Sequence, residues 1–326
     1  LKVIRNLMGQ YLADPLPEDK AWIERRIRSE IAKLWQTDFI RPWRPSVMQE
    51  VGRGLSIKPV LWNTIPRIHR DLKQALDEEF GDAVSVSKPC LTFGSWMGGD
   101  RDGHPGVTAE VTEETLTWLR REAIQFHLQA CDVLSESLSM SGRQLGDEDA
   151  FAERIDRLQA AWPEIEQRLR LVPPGERFRR WLTVIRYRLE QSLPTKSNSE
   201  SPVEEAAPGY ATSCELAADV ATLADAIQTI AGHDHMLLEV QAWQTQINTF
   251  GLQLARLDVR QNAKIHREVL EEILQKSGLC DQFTSLDESA RCDLLVQSLR
   301  HPINLDDSQL SPMAAETWQT FRTLHR

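Results

Sequence analysis

Several features that mark secreted, membrane-spanning or nucleic-acid-binding proteins are missing from this sequence. Its five cysteines are odd in number and show no CxxC spacing, so neither a disulfide framework nor a zinc site is indicated. It has no run of 18 apolar residues and no apolar N-terminal signal pattern. Its net charge of -10 is the opposite of the basic excess that nucleic acids and anionic membranes attract. We therefore expect a protein of the reducing cytoplasm that binds neither nucleic acid nor membrane.

The residues that are present predict a helix-rich globular chain. Hydrophobic residues make up 41% of the sequence, which is enough for a substantial core. Most of them recur at helical spacing, and we expect Pro163 to bend one of the resulting helices. The predicted helices cover 17–36, 47–55, 61–80, 116–139, 151–171, 178–193, 214–231, 236–250, 261–277, 285–300 and 308–325. Four tryptophans on these helices are expected in the core: Trp22, Trp35, Trp118 and Trp181.

The organisation of the chain is simple. Periodicity is lost between 194 and 209, where Ser, Pro and Glu predominate, and this composition predicts a flexible surface loop. The sequence begins with Leu1 rather than Met, from which we expect a piece of a longer protein. We therefore interpret 1–326 as a single partial domain.

A charged glycine turn is the most informative local pattern. Glycine permits positive φ and close approach of the backbone to a ligand. Apolar residues before the turn predict a strand near 91–97, and acidic residues after it predict a helix start. Enzymes of the α/β class place their chemistry at such strand-turn-helix junctions. The turn contains Gly98, Gly99, Asp100, Arg101, Asp102 and Gly103.

Two common ligand-binding loops do not fit this turn. An EF-hand with Gly103 at its sixth position would put Gly98 and Ala109 where carboxylates are required. The glycines also lack the G-x-G-x-x-G spacing of dinucleotide-binding proteins. Two interpretations stay open: a ligand-binding turn, and a structural brace formed by salt bridges within the segment 100–102.

A second strand is predicted near 252–259, where apolar and polar residues alternate. Asp258 and Arg260 lie two residues apart at its carboxyl end, on one face, where barrel enzymes place catalytic groups. Arg260 is suited to bind an anion. The alternative interpretation is an ion pair of Arg260 with Asp258 or with the following helix.

The two turns together resemble segments of the phosphoenolpyruvate carboxylase family. FGSWMGGDRDGHP at 93–105 resembles the family's FGSWMGGDRDGNP, and LDVRQ at 257–261 resembles its LDIRQ. Three further segments resemble TDEIR, NPDEPYR and YASAEEL in the same order: TDFIR at 37–41, PGERFR at 174–179 and YATSCEL at 210–216. The resemblance covers most of the chain, more weakly in the 194–209 segment and after about Leu270. His104 and Asn262 depart from the family's usual residues.

The resemblance implies a mainly α chain that forms a helix-rich part of a distorted (β/α)8 barrel, with about two barrel strands. It implies an enzyme that uses Mg²⁺ or Mn²⁺ to join bicarbonate to phosphoenolpyruvate, giving oxaloacetate and phosphate. In the family's chemistry, bicarbonate attacks phosphorus to form carboxyphosphate and the enolate of pyruvate, and the enolate then captures CO₂. A cytoplasmic homotetramer is implied for the full-length protein.

Matching the motifs residue by residue assigns roles to individual positions. Arg260 matches an active-site arginine that would contact phosphate or carboxyphosphate, and Trp96 matches the tryptophan beside an apolar CO₂ pocket. Arg41 is a candidate for the family's anionic activator site. The remaining candidates would bind substrate or position the loops: Gly98, Gly99, Asp100, Arg101, Asp102 and Asp258.

Other parts of the family pattern are not in this sequence. The histidine of TAHPTE would precede Leu1, while the carboxylate metal ligands, a glycine-rich loop with a lysine and the FHGRGG segment would follow Arg326. We therefore expect an internal part of the N-terminal half that binds no metal and has no carboxylase activity by itself. Two alternatives stay open: a non-catalytic helical regulatory or interaction module, and another barrel enzyme acting on a phosphorylated acid.

Overall fold

The computed structural model describes residues 1–37, 45–84, 89–102, 104–140, 151–194, 208–230, 232, 234–300, 303 and 305–325. The chain divides into two compact units, Leu1–Pro45 and Ser46–Arg326. The assignment of 1–326 to one partial domain stays a prediction.

Two helices form the described part of the N-terminal unit. Helix α1 (Lys2–Leu12) packs against α2 (Pro17–Trp35), and α2 confirms the helix predicted over 17–36. Trp22 and Trp35, however, are 49% and 88% exposed, so the expectation that they lie in the core is wrong. A helix packed on one side buries only a narrow stripe, and in α2 the buried position is Ile23.

The second unit is built mainly of helices, as predicted, and most helix bounds agree with the periodicity to within a few residues. Among the described residues, no helix is both long enough and apolar enough to cross a membrane. The elements in chain order are α3 (Val47–Gly54), α4 (Lys58–Phe80), β1 (Gly94–Ser95), α5 (Ala109–Ser137), α6 (Ala152–Ala161), α7 (Ile165–Leu169), α8 (Arg177–Gln191), α9 (Ser213–Gln228), α10 (Asp234–Phe250), β2 (Arg256–Leu257), α11 (Ala263–Lys276), α12 (Glu288–Ser298) and α13 (Pro312–His325).

The single bent helix predicted over 151–171 is wrong, because the structure has two helices there. Helix α6 ends at Ala161 and α7 begins at Ile165. Pro163 lies between them, has no N–H to donate and clashes with a preceding helical turn, so one helix ends and another begins. Of the loop predicted over 194–209, only residues 194, 208 and 209 are among the described residues.

The main core lies between α5, α8, α9 and α10. Trp181 is completely buried in it, which confirms its expected core position, and Trp118 is partly buried. A second cluster joins α4, α5 and α10 to the residue just before β1. Its rings stack at centroid distances of 4.9, 5.1 and 5.5 Å in the order Phe126, Trp62, Phe250 and Phe93.

Pro66 lies inside α4, where a proline normally breaks a helix. Without an N–H, it cannot donate to the carbonyl of Trp62 four residues earlier. Gln246 of α10 replaces the missing donor, since its Nε2 donates to the Trp62 carbonyl at 3.0 Å and both residues are buried. The amide of Gln246 therefore helps α4 continue through Pro66 and ties α4 to α10.

We expect Gln246→Met to lower the free energy of unfolding by about 1–3 kcal/mol, because it leaves the buried Trp62 carbonyl without a partner. Pro66→Ala restores a backbone N–H to α4, so the cost of Gln246→Met should shrink in that background. Urea denaturation of the four proteins of this double-mutant cycle measures the coupling. Equal costs in both backgrounds would show that Gln246 does not replace the missing N–H.

His127 of α5 is a fully buried histidine. Trp243 Nε1 donates to its Nδ1 at 3.0 Å, so the ring proton lies on Nε2, which donates to the Gly251 carbonyl at 2.8 Å. Burial lowers the pKa of His127 to about 4, although the hydrogen bond to Gly251 opposes this shift. The neutral ring thus holds Gly251 in the turn that leads to β2.

We expect the protein to lose stability as the pH falls from 6.5 towards 4, because in that range His127 binds a proton in the unfolded chain but not in the folded one. By about pH 5 this residue alone removes about 2 kcal/mol. Urea unfolding between about pH 7 and 5 measures the slope. His127→Gln should flatten it, whereas His235→Gln, at an exposed position, should keep it. An unchanged slope in His127→Gln would contradict the assignment.

The strands are shorter than predicted. β1 and β2 pair in parallel over two residues each, with Gly94 opposite Arg256 and Ser95 opposite Leu257, instead of extending over 91–97 and 252–259. After β1, the N–H groups at positions 99 and 100 both donate to the Trp96 carbonyl at 2.9 Å, so a turn interrupts the ladder before it resumes as a single bridge between Asp100 and Arg260. Residues 251–255 form a turn before β2. The sequence therefore predicts where the strands lie but not their length.

Candidate functional site

β1 and β2 bring the two sequence motifs together. Their pairing continues past the strands: Asp258 N donates to Ser95 O at 2.8 Å, Arg260 N to Gly99 O at 2.9 Å, and Arg101 N to Arg260 O at 2.9 Å. We call residues 96–102 the site loop. It lies beside the carboxyl end of β2 because parallel strands end at the same edge of a sheet.

Two glycines make this close approach possible. Gly98 has a φ of +84°, and a Cβ at this position would lie 2.1 Å from Thr115 Oγ1. A Cβ on Gly99 would lie 2.5 Å from the backbone oxygen of Asp258. A side chain at either position would therefore push the site loop away from α5 or from the end of β2.

Trp96, Asp258 and Arg260 form the open face of the site, and each is about half exposed. Arg260 Nη2 donates to Asp258 Oδ2 at 3.1 Å, and the Arg260 guanidinium carbon lies 5.6 Å from the centre of the Trp96 ring. The ion pair considered as the alternative for Arg260 is thus present. At this exposure such a pair contributes only about 0–1 kcal/mol, so Arg260 keeps donors available for an anion near Trp96.

Arg101 is buried and pairs outside the turn. Its Nη2 lies 3.2 Å from Glu316 Oε1 of α13; burial lowers the pKa of Arg101, and the Glu316 carboxylate opposes that shift. Within the turn, Asp100 Oδ1 accepts a hydrogen bond from Asp102 N at 3.2 Å. The brace of mutual salt bridges considered for 100–102 is therefore wrong: a hydrogen bond closes the turn, and the ion pair of Arg101 reaches α13.

Glu316 is the site residue that sequence reasoning misses. Its Oε1 accepts a second, short hydrogen bond from Ala109 N in the first turn of α5. It lies 215 residues from Arg101 along the chain, in a helix without a recognisable motif, so no local pattern connects the two. One carboxylate thus joins α13 to both the site loop and α5.

The described residues do not form a metal site. No group of three or more His, Cys, Asp or Glu side chains in the described ranges could hold a metal ion. The Asp258 carboxylate is paired with Arg260, so the open face by itself does not fit a divalent cation. Arg41, the candidate for an activator site, and Gly103 lie outside the described residues.

A groove of about 530 Å³ lies elsewhere, between α4 and α10. Arg67, Arg70 and Lys73 line it, but all three are exposed, and Arg70 Nε lies 3.6 Å from Asp71. The groove thus has no buried charge among its lining residues. The strand ends are the better candidate site, because hydrogen bonds to the site loop hold the Arg260 backbone there.

Comparisons with known proteins give matches along nearly the whole chain. The family model described as Phosphoenolpyruvate carboxylase matches residues 2–326. A phosphoenolpyruvate carboxylase from Roseiflexus castenholzii is 33% identical over 312 residues, which cover 92% of this chain and 33% of that protein. The enzyme from Mycobacterium leprae is 33% identical over 300 residues, which cover 90% of this chain and 31% of that protein. The enzyme from Synechococcus sp. is 30% identical over 327 residues, which cover 93% of this chain and 32% of that protein. The chain spans about a third of the length of these relatives.

Proposed function

This chain belongs to the phosphoenolpyruvate carboxylase family, and we propose that it supplies part of the active site of an enzyme that joins bicarbonate to phosphoenolpyruvate, giving oxaloacetate and phosphate. One observation carries the proposal. The backbone hydrogen bonds that Arg260 makes with Gly99 and Arg101 bring the chain's two family motifs together at the strand ends.

Arg260 would stabilise the negative charge that builds up during the reaction. Attack of bicarbonate on phosphorus gives carboxyphosphate and the enolate of pyruvate, both of which are anionic. A guanidinium already fixed in place stabilises such charge without reorganising at the moment of reaction. Because Asp258 occupies only part of the guanidinium, its remaining donors would contact phosphate or carboxyphosphate.

Trp96 would form an apolar wall of the site. Trp96 is 54% exposed, and the guanidinium carbon of Arg260 lies 5.6 Å from the centre of its ring. Water destroys the enolate by donating a proton and hydrates CO₂, so a dry surface beside both would favour their combination.

The other site residues would position these two. Gly98 and Gly99 allow the close approach of the loop, Asp100 and Asp102 close its turn, and Arg101 anchors it. Asp258 would hold the Arg260 guanidinium. None of these six residues is proposed to react.

The family implies a divalent metal in the full enzyme, Mg²⁺ or Mn²⁺ in our proposal. The described residues offer no ligand cluster for it, so its ligands would lie elsewhere in the protein. We assign no step of the reaction to a metal held by this chain.

We further propose that β1 with α5 and β2 with α11 are two units of a (β/α)8 barrel. Their parallel pairing and the helix that follows each strand support this arrangement. We also propose that the full-length protein is a cytoplasmic homotetramer and that Arg41 binds an anionic activator. Both proposals rest only on the resemblance to the family.

The function is tested on the natural protein that contains these 326 residues. With phosphoenolpyruvate, bicarbonate and Mg²⁺, coupling to malate dehydrogenase should show NADH oxidation that stops when bicarbonate is omitted. The 326-residue polypeptide alone should show none. A folded natural protein without turnover would exclude the carboxylase and favour a non-catalytic module.

A further inference from the structure

We infer that Glu316 is a positioning residue for the site loop: its carboxylate sets the loop against α5 and so keeps Trp96 and Arg260 where the reaction needs them. This inference rests on the proposed carboxylase function. Glu316 itself is not proposed to touch substrate.

One carboxylate oxygen of Glu316 makes two contacts. Glu316 Oε1 accepts from Arg101 Nη2 at 3.2 Å and, in a short hydrogen bond, from Ala109 N. Arg101 belongs to the site loop, and Ala109 is the first residue of α5. The oxygen therefore holds both the site loop and the start of α5 against α13. Its negative charge is favourable next to the N-terminus of α5, where the helix dipole is positive.

The buried Arg101 guanidinium depends on the negative charge of Glu316. The Arg101 side chain is only 5% exposed, and its Nε has no hydrogen-bond partner within the described residues. A buried guanidinium that loses its carboxylate is left uncompensated, at a cost large enough to favour moving it into water. Removing the Glu316 carboxylate should therefore displace Arg101, rather than leave the loop as it is.

Backbone hydrogen bonds link Arg101 to the open face. Arg101 N donates to the Arg260 carbonyl, and Arg260 N donates to the Gly99 carbonyl, both at 2.9 Å. Trp96 lies at the start of the same turn, because its carbonyl accepts from the N–H groups at 99 and 100. A shift of Arg101 is thus transmitted through backbone hydrogen bonds to both Arg260 and Trp96.

The chemical consequence is a change in product. In the normal course, carboxyphosphate breaks down to CO₂ and phosphate, and the enolate carbon bonds to CO₂ to give oxaloacetate. If a displaced Trp96 admits water, the enolate takes a proton from it instead, and pyruvate, CO₂ and phosphate are released. Loss of Glu316 should therefore raise the ratio of pyruvate to oxaloacetate.

The experiment measures that ratio in the natural protein and in Glu316→Ala, with malate dehydrogenase reporting oxaloacetate and lactate dehydrogenase reporting pyruvate. We expect a rise on the order of tenfold, because a misplacement of about 1 Å can lower the rate of the correct reaction by up to about 100-fold. A residue that only stabilised the fold would change the amount of active enzyme but not the ratio. Glu122→Gln is the matched control: it removes the charge of another α5-linked ion pair, Glu122 with Lys58 at 2.6 Å, and should leave the ratio unchanged.

A conservative variant provides the rescue. Glu316→Gln keeps an oxygen that accepts from Ala109 N but loses the charge opposite Arg101, so its ratio should lie between those of the parent and Glu316→Ala. It also serves as the test variant if Glu316→Ala does not fold. Unchanged ratios in both variants, with an active parent, would overturn the inference.

The experiment distinguishes failure of the proposed function from failure of the anchoring by Glu316. If the parent itself makes no oxaloacetate, the function is wrong, and the positioning role of Glu316 in the reaction is overturned with it. Amide hydrogen exchange over 96–102 then still reports on the anchor alone. Exchange should be faster in Glu316→Gln than in Glu122→Gln, and equal rates would also overturn the anchoring by Glu316.

Discussion

Replacing Arg260 with alanine is expected to lower kcat/KM for phosphoenolpyruvate about 100-fold or more in the natural protein that contains this chain. The guanidinium would face the anions formed in the reaction, and alanine offers no donor in its place. Folding should hardly change, because the half-exposed ion pair with Asp258 contributes only about 0–1 kcal/mol. The loss should therefore fall on the reaction and not on stability.

Two further variants sharpen this result. Arg260→Lys keeps the positive charge but not the planar fork that binds a phosphate with two parallel hydrogen bonds, so its kcat/KM should lie between those of the parent and the alanine variant. Arg267→Ala removes an exposed arginine of α11 and should leave kinetics unchanged. Steady-state rates with phosphoenolpyruvate and bicarbonate varied in turn provide the measurement. Near-normal kinetics in Arg260→Ala would place this arginine outside the site.

Replacing Gly98 with alanine is expected to lower the free energy of unfolding by about 2–5 kcal/mol. The positive φ costs an L-residue roughly 1–2 kcal/mol, and the overlap of the new Cβ with Thr115 adds about 1–3 kcal/mol. Thr115 cannot easily move aside, because it is β-branched and its Oγ1 donates to the Val111 carbonyl at 2.7 Å. The site loop should move instead, so kcat/KM should fall together with stability.

Gly52→Ala is the matched control for this substitution. A Cβ at Gly52 would meet no atom within 4 Å, and the residue lies inside α3, where alanine stabilises a helix by up to about 1 kcal/mol relative to glycine. The two variants should therefore shift urea midpoints in opposite directions. A Gly98→Ala protein as stable and active as the parent would contradict the close packing of the loop against α5.

Much of this fold can be predicted from the sequence, because the residues that each helix buries recur at regular helical spacing along the chain. The periodicity of apolar residues locates most of the helices, and the glycine-and-charge pattern locates the turn after β1. Asp258 and Arg260 are recognisable from their place at the end of a predicted strand. Such features depend on residues close together in sequence, and single-chain patterns contain that information.

The predictions that are wrong or missing depend instead on contacts between segments that are far apart in the sequence. Trp22 and Trp35 are apolar and on the right helix, yet what buries a side chain is the neighbouring element, which the pattern does not contain. The donor that Gln246 supplies to α4 and the carboxylate that Glu316 supplies to Arg101 both come from distant segments. The length of a strand also depends on where its partner strand stops pairing. The sequence therefore predicts where β1 and β2 lie but not where they end.

The contact between Arg101 and Glu316 also constrains the order in which the protein folds. The two residues are 215 positions apart, and closing a loop of that length costs chain entropy on the order of 5 kcal/mol, whereas the turns within each helix close at once. During synthesis, Arg101 leaves the ribosome long before its carboxylate exists. The site loop, in the first third of this sequence, therefore stays unanchored on the nascent chain until α13 has emerged and docked.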